Sequence, residues 1–445
     1  MTALERPDRP DPRREAFRIL RRVDQQGAWS GPLLQRLDAR GWDARDLALA
    51  NELTLGVLRR KIALDAVIAA FSSRPLERVN ADVRVALWLG LYQVLFLERI
   101  PPHAAVNETV NLVRALPHAA HAASFVNALL RAALKDVPRA RAVARGAGEA
   151  DPVQALGVAE SHPAWLARRW VERFGLEGAR ALMEAQNHPA PVSARVMGGA
   201  PRVAEALREL EQESIAASVS PVLEDFIRIQ GPAQHSALFR SGGLYIQDEA
   251  SALAARLAGV KEGDLVLDAC AAPGGKTFIM AALADEGGLV VACDRSSRRL
   301  EVLQENAVRL RVSCAALAAD LAEGNPFRDG TRFDVVAVDA PCSGTGVIRR
   351  HPELRYRAGD EALSRLVPLQ AGLLSTAAVL VKPGGTLVYS VCSLEPEEGE
   401  RQIDAFLDRQ PGFVLEDPSA DVLLTRPDRD GLDGFFAARL RRQRA

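Results

Sequence analysis

Residues Asp264–Thr277 read DLVLDACAAPGGKT: an apolar run of strand length ends in Asp268 and passes through a proline and two glycines before helix-forming residues resume. Four later segments repeat the opening half of that pattern: GLVVACD (288–294), CAALAAD (314–320), RFDVVAVDA (332–340) and GTLVYSVCS (385–393). Each is separated from the next by enough chain for a helix. That alternation predicts a doubly wound parallel sheet from about Gly242 onward.

Ligands of such sheets bind beyond the carboxyl ends of the strands, near the point where strand order reverses. The unusual residues of this sequence fall there. Asp268 to Thr277 follow the first strand, Asp294 the second and Asp320 the third; Asp339 ends the fourth with Cys342 just beyond, and Cys392 ends the fifth. AAPGGKT is not a Walker A loop, because Cys270 stands where that motif needs a glycine five residues before its GK pair. VVAVD would serve as a Walker B strand, so a nucleotide triphosphatase is a rival reading. A dinucleotide or S-adenosylmethionine site fits better. Gly274 and Gly275 let the backbone approach a ligand, and Asp294, about 20 residues on, is placed to accept from ribose hydroxyls. The alternative for Asp294 is the N-cap of the helix that begins RSSRRL.

A lone cysteine at a strand end reads as a small buried filler. Here Cys342 and Cys392 converge if the fourth and fifth strands are neighbours, whereas Cys270, Cys293 and Cys314 sit in or at the ends of apolar runs and are expected in the core. Two thiols at a cofactor edge suit a carbon too weakly nucleophilic to take a methyl group unaided, such as cytosine C5. Addition of a thiolate to C6 gives an enamine that attacks a sulfonium methyl, and loss of the C5 proton then expels the thiolate. Such a thiol needs a depressed pKa or a nearby base.

Before the sheet, REAFRILRRV, LALANELTLGVLRR, ADVRVALWLGLYQVLFL and ASFVNALLRAAL carry apolar residues at helical spacing, which predicts an all-α bundle. In the first of these, Arg14, Arg18 and Arg21 lie opposite Phe17 and Leu20, either as a solvated face or as RNA contacts. Asp136–Pro152, DVPRARAVARGAGEADP, has the composition of a linker. Beyond it, HPAWLARRWVERFG predicts a helix with Trp165, Leu166 and Trp170 inside, followed by mixed short elements. Three domains result: an all-α bundle (1–140), a small α+β module (153–235) and the α/β domain (236–445).

The 445 residues suffice for several cores, and no apolar run is long enough to cross a bilayer. The start, MTALERPDRPDPRREAF, resembles neither a signal peptide nor an anchor, so a cytoplasmic protein is expected, with no membrane partner. Five cysteines, none in CxxC spacing, should be free thiols, and seven scattered histidines make a metal site unexpected. Residues 1–150 hold 23 Lys and Arg against 16 Asp and Glu, a surplus of +7 in a chain of net charge −1. A basic front end points to a polyanionic partner.

DACAAPGGKT, VDAPCSGTGVIRRHPE and YSVCSLEPEEGE resemble the three diagnostic motifs of RNA cytosine-5 methyltransferases, and GGLYIQDEAS (242–251) resembles the segment that opens their catalytic domain. ASFVNALLR and SHPAWLARRWVERFG are similar to the bacterial Sun-type, or RsmB-type, branch, which acts on 16S rRNA and has a NusB-like domain in front. The resemblance implies a Rossmann-like S-adenosylmethionine-dependent domain behind the NusB-like bundle and the small RNA-binding module. It implies that Cys392 attacks C6, that Cys342 assists release of the methylated RNA, and that Asp339 grips the cytosine N3/N4 edge, with Lys276 near the cofactor or that aspartate. The cofactor pocket would comprise Cys270, Ala271, Ala272, Pro273, Gly274, Gly275 and Lys276 with Asp294, Asp320 and Asp339. One departure stands out, since Val391 occupies the place of the family's usual Thr before the nucleophile. The partner would be 16S rRNA, through an unpaired or flipped-out cytosine, with Arg349, Arg350 and His351 bordering the RNA path. The alternatives are another rRNA or a tRNA as substrate, and a non-catalytic RNA-binding assembly factor.

Overall fold

The helical spacing of the front half becomes a bundle in the computed structural model, which describes residues 11–38 and 42–444. The expectation for the first ten residues lies outside those described. The chain divides into two units, one running to His188 and including Ile348–Arg357, the other comprising Pro189–Val347 and the rest from Ala358.

In the first unit, helices Pro12–Gln26, Ser30–Asp38, Ala44–Phe71, Ala81–Phe96, Pro102–Arg114 and Ala123–Lys135 enclose one apolar core. Asp11 and Asn80 cap the first and fourth by accepting backbone N–H groups. Ala81–Phe96 is buried nearly all round because it is apolar nearly all round, and its Trp88 donates to Asp65 at 2.7 Å. The expected linker is instead helical over Val137–Ala144. Asp136 caps it, Pro138 occupies its first turn, and Ala140 and Ala144 join the core, an apolar face of alanines too small to register in the sequence pattern.

Ile348–Arg357, which follows the Cys342 segment, belongs to this helical unit. Arg355 is fully buried there and donates to the carbonyls of Arg59 (3.1 Å) and Ser161 (2.9 Å) and to Asn187 Oδ1 (3.0 Å). Burial lowers its guanidinium pKa to about 10. Glu353 accepts from both the N–H and the hydroxyl of Ser30 at 2.8 Å.

The second unit opens with an antiparallel sheet of β1 (Val192–Val196), β2 (Ala216–Val219), β3 (Phe226–Gln230) and β4 (Leu244–Ile246) in the order β2-β3-β1-β4, so the small sheet runs on to Ile246. Behind it stand β5 (Leu265–Asp268), β6 (Leu289–Asp294), β7 (Ala315–Ala318), β8 (Phe333–Asp339), β9 (Val381–Val391), β10 (Phe413–Val414), β11 (Val422–Thr425) and β12 (Phe435–Arg442). Their order is β10-β12-β9-β8-β5-β6-β7, with β11 on β12. The five expected strands, β5 to β9, form its parallel part, and order reverses between β5 and β8. The antiparallel flank of β10, β11 and β12 is a feature that the repeated pattern does not announce.

Helix Asp360–Leu380 is long and apolar enough, by length and composition, to cross a bilayer, contrary to the sequence expectation. In this fold it packs on β8 and β9 and places Leu373, Leu374, Ala377 and Leu380 in the sheet's core.

Candidate active site

Four parallel strands, β5, β6, β8 and β9, deliver the reactive groups to one edge. Asp268 closes β5, is 1% exposed, and accepts Thr277 Oγ1 at 2.7 Å. Burial pushes its carboxyl up to about 6, against the pull of that hydrogen bond. The turn that follows needs glycine. Gly274 has φ +109°, and a Cβ there would lie 2.5 Å from the Phe278 ring.

Asp294 closes β6 and is 3% exposed. Its Oδ2 accepts the Ala272 N–H at 3.2 Å and lies 3.4 Å from the Arg299 guanidinium, while Oδ1 accepts the Ser296 N–H at 2.9 Å. Ser296, not Asp294, is the N-cap of helix Ser297–Leu310. The carboxylate is left to organise the loop in front of the sheet.

Asp339 closes β8. Lys276 Nζ stands 2.7 Å from its Oδ2, and Ser390 Oγ donates to its Oδ1 at 2.8 Å. Lys276 is 8% exposed, also donates to Ser251 Oγ at 3.1 Å, and lies 5.1 Å from the centre of the Phe435 ring. Ser390 is a site residue that the sequence reading misses. The β8/β9 register sets it directly opposite Asp339, a signal available only once those strands are paired. Val391, next along, is fully buried in the apolar core and pairs with Phe436 on β12.

The Sγ atoms of Cys342 and Cys392 are 3.4 Å apart. The hydrogen bond to Cys392 and burial hold the Cys342 thiol well above its usual range, and the charges of Glu398 and Asp339 add to the effect. Cys293 is fully buried in the core, where burial pushes its thiol up to about 12. Burial raises Cys270 and Cys314 as well, although both keep partial exposure.

Cys270, Ala272, Asp294, Asp320, Asp339, Cys342 and Cys392 line one pocket of about 270 Å³. The same wall holds Arg295, Arg299, Leu369 and Leu373, which the sequence does not single out. Lys276 reaches the pocket through Asp339, and Gly274 and Gly275 form the start of the helix behind it. Ala271 packs into an apolar cluster with Tyr245 and Phe278, and Pro273 presents its carbonyl to the Tyr245 hydroxyl at 3.5 Å. Arg349 is 6% exposed within the helical unit, where its N–H donates to Gln186 Oε1 at 2.8 Å. Arg350 is half-buried, and the exposed His351 stands edge-on to Trp29 with ring centres 6.5 Å apart.

Three family descriptions match the chain. Residues 10–135 match the NusB family, 162–236 the RsmF/B-like ferredoxin-like domain, and 255–441 the 16S rRNA methyltransferase RsmB/F description. The ribosomal RNA small subunit methyltransferase B of Vibrio cholerae is 34% identical over 90% of this chain and 90% of its own length. The crystal structure of PH0851 matches with a TM-score of 0.79 at 25% identity, covering 99% of this chain and 100% of that one. NSun6 from Pyrococcus horikoshii, solved with SFG, matches with a TM-score of 0.59 at 22% identity over 64% of this chain and 100% of its own, a likeness of fold alone. With 34% identity to a ribosomal RNA small subunit methyltransferase B over nine tenths of both chains, and with NusB, ferredoxin-like and methyltransferase descriptions matched in that order, the chain belongs to the RsmB/F family of 16S rRNA methyltransferases.

Proposed function

We propose that this rRNA methyltransferase moves a methyl group from S-adenosylmethionine to C5 of a cytosine in 16S rRNA through a covalent adduct between Cys392 and C6. The observation that carries the reading is the 3.4 Å approach of the two sulfur atoms beside the Lys276–Asp339 pair, in a pocket that also holds Asp294 and Asp320. A single thiol could be filler. Two thiols and a carboxylate around one cavity match the needs of a pyrimidine carbon that must be activated before it reacts.

The residues present fit the cofactor. Asp268 Oδ1 and both polar atoms of Gln247 are buried without a protein partner among the described residues, and buried polar groups are rarely left so. Asp294 suits ribose hydroxyls, with Asp320 further along the same wall. SFG, carried by the Pyrococcus neighbour, is an analogue of S-adenosylmethionine. When bound, the cofactor supplies an electrophilic methyl group. In this reading Cys392 adds to C6, Asp339, held by Lys276 and Ser390, grips the N3/N4 edge, and Cys342 assists release. The target cytosine has to leave its stack, since C6 is covered in a helix.

RNA affinity would come from the basic front unit, working in the cytoplasm where ribosomal RNA is made and modified. Arg18, Arg21, Arg22 and Arg36 line a groove of about 580 Å³ between helices Pro12–Gln26 and Ser30–Asp38, a suitable seat for phosphates. Arg350 and His351 are the more accessible members of the other RNA set. Bisulfite sequencing of 16S rRNA from cells with and without the gene tests the reading. One cytosine is expected to lose protection when the gene is absent, and an unchanged pattern sinks the proposal.

A further inference from the structure

Cys342 and Cys392 share a hydrogen bond in which either sulfur could be the donor, yet the proposed chemistry needs Cys392 to carry the negative charge. Glu398 breaks that symmetry. It is fully buried, six residues beyond Cys392, and its carboxylate is occupied by the turn that holds the other cysteine. Oε1 accepts the Ser343 N–H at 2.9 Å and Gln370 Nε2 at 3.0 Å, and Oε2 accepts the Ser343 hydroxyl. The Glu398 carbonyl accepts the Tyr389 hydroxyl at 2.7 Å. Around this centre the two turns are laced together: Ser343 Oγ meets Ser393 Oγ at 3.1 Å, Thr345 Oγ1 meets the same Ser393 at 3.2 Å, and the Leu394 N–H donates to Thr345 at 3.0 Å.

We propose that Glu398 is a positioning residue for the thiol pair: it locks the Cys342 turn to the Cys392 turn and keeps the pair's remaining proton on Cys342, so that the proton lost to solvent leaves from Cys392. The inference rests on the roles proposed above for the two cysteines. A carboxylate hydrogen-bonded to Ser343, the residue next to Cys342, disfavours a second negative charge on that thiol, and in a buried site the repulsion is weakly screened. Two further groups face Cys342. They are Tyr389 within β9 and Asp339, which Lys276 offsets at 2.7 Å. Further along the wall, the Arg299 guanidinium lies 3.4 Å from Asp294, and Arg295 and Asp320 line the same pocket. Gln370 is the neutral donor that partly satisfies Glu398, and it also holds the Pro341 carbonyl at 2.9 Å.

The test uses the full chain without RNA or cofactor. Initial rates of alkylation by iodoacetamide are read at each cysteine by peptide mass spectrometry at about pH 8, where thiolate fraction governs reactivity. In the wild type, Cys392 is expected to react faster than Cys342. Glu398→Gln should narrow that ratio by about tenfold, one unit of pKa on Cys342. Gln370→Met, which removes a donor from the carboxylate, should widen it. A merely structural part for Glu398 predicts that both substitutions loosen the turns and narrow the ratio together. Faster reaction of Cys342 in the wild type, an unmoved ratio in both variants, or the same sign in both overturns the proposal. Adduct trapping with RNA is a separate measurement, so the failure of the cysteine roles would be seen independently of this one.

Discussion

At the scale of single residues, the proposed reaction gives the two thiols different work. Cys392→Ala is expected to abolish methyl transfer while cofactor binding persists, as read by titration calorimetry beside a methylation assay. Cys342→Ala should let a protein–RNA adduct accumulate that survives a denaturing gel, and full turnover in either variant would end the assignment. Asp268 offers a prediction of another kind. Its folded pKa, raised by burial to about 6, exceeds the unfolded value of 3.8, so between those values the folded state binds more protons and stability falls as pH rises. Asp268→Asn keeps an acceptor for Thr277 and removes the buried charge. It should therefore be more stable than the wild type at pH 8, by on the order of 2 kcal/mol, with little gain at pH 4. Equal melting differences at both values would refute the charge argument. The cysteines, Asp339 and Lys276 were legible because each lies in a short motif whose residue types are unusual. Ser390, Gln370 and Glu398 were not, since their meaning comes from strand register and from burial, which a linear pattern does not encode.

At the scale of elements, the five parallel strands were readable because each is a compact apolar run that ends in a polar residue, with room for a helix before the next. Their antiparallel companions were hidden. β10 has two residues, and β12 reads FFAARLRR, whose arginines look solvated until Arg439 is seen against Asp421 and Arg442 against the Val381 carbonyl at 2.6 Å. These pairings are long-range, so local propensity carries no trace of them. The same flank braces the site. Gly346 N–H donates to the Cys392 carbonyl at 3.1 Å, Gly434 N–H donates to the Gly346 carbonyl at 2.9 Å, and a Cβ on Gly346 would lie 1.9 Å from the Gly434 oxygen. Backbone cannot yield as a flexible side chain can. Gly346→Ala should separate the Cys342 turn from β12, with a loss of about 1–3 kcal/mol in denaturant unfolding and a larger proportional loss of methyl transfer. Wild-type activity in that variant would show that the close approach is dispensable.

At the scale of the whole molecule, charge and chemistry are carried by different stretches of chain: a basic surplus in the first 150 residues, and the thiol pocket in the second unit. Replacing both Arg22 and Arg36 with Glu should weaken RNA binding at low salt and flatten the dependence of log K on log salt by about one for each phosphate that is no longer neutralised. The thiol alkylation pattern should not change. Unaltered salt dependence would move the phosphate-binding surface elsewhere. Domain order was visible from composition and periodicity, but the path of the chain was not: VIRRHPELRY follows the DAPC motif in sequence and looks like part of it, whereas its Arg355 satisfies carbonyls of the helical unit. A gene cut at residue 188 would therefore encode a front half deprived of ten of its own residues, Ile348–Arg357, leaving the backbone oxygens of Arg59 and Ser161 without the guanidinium that donates to them. The remaining fragment would have to solvate Arg355 as a bare cation. No single cut in the gene separates the two units, because ten residues of the first lie within the sequence span of the second.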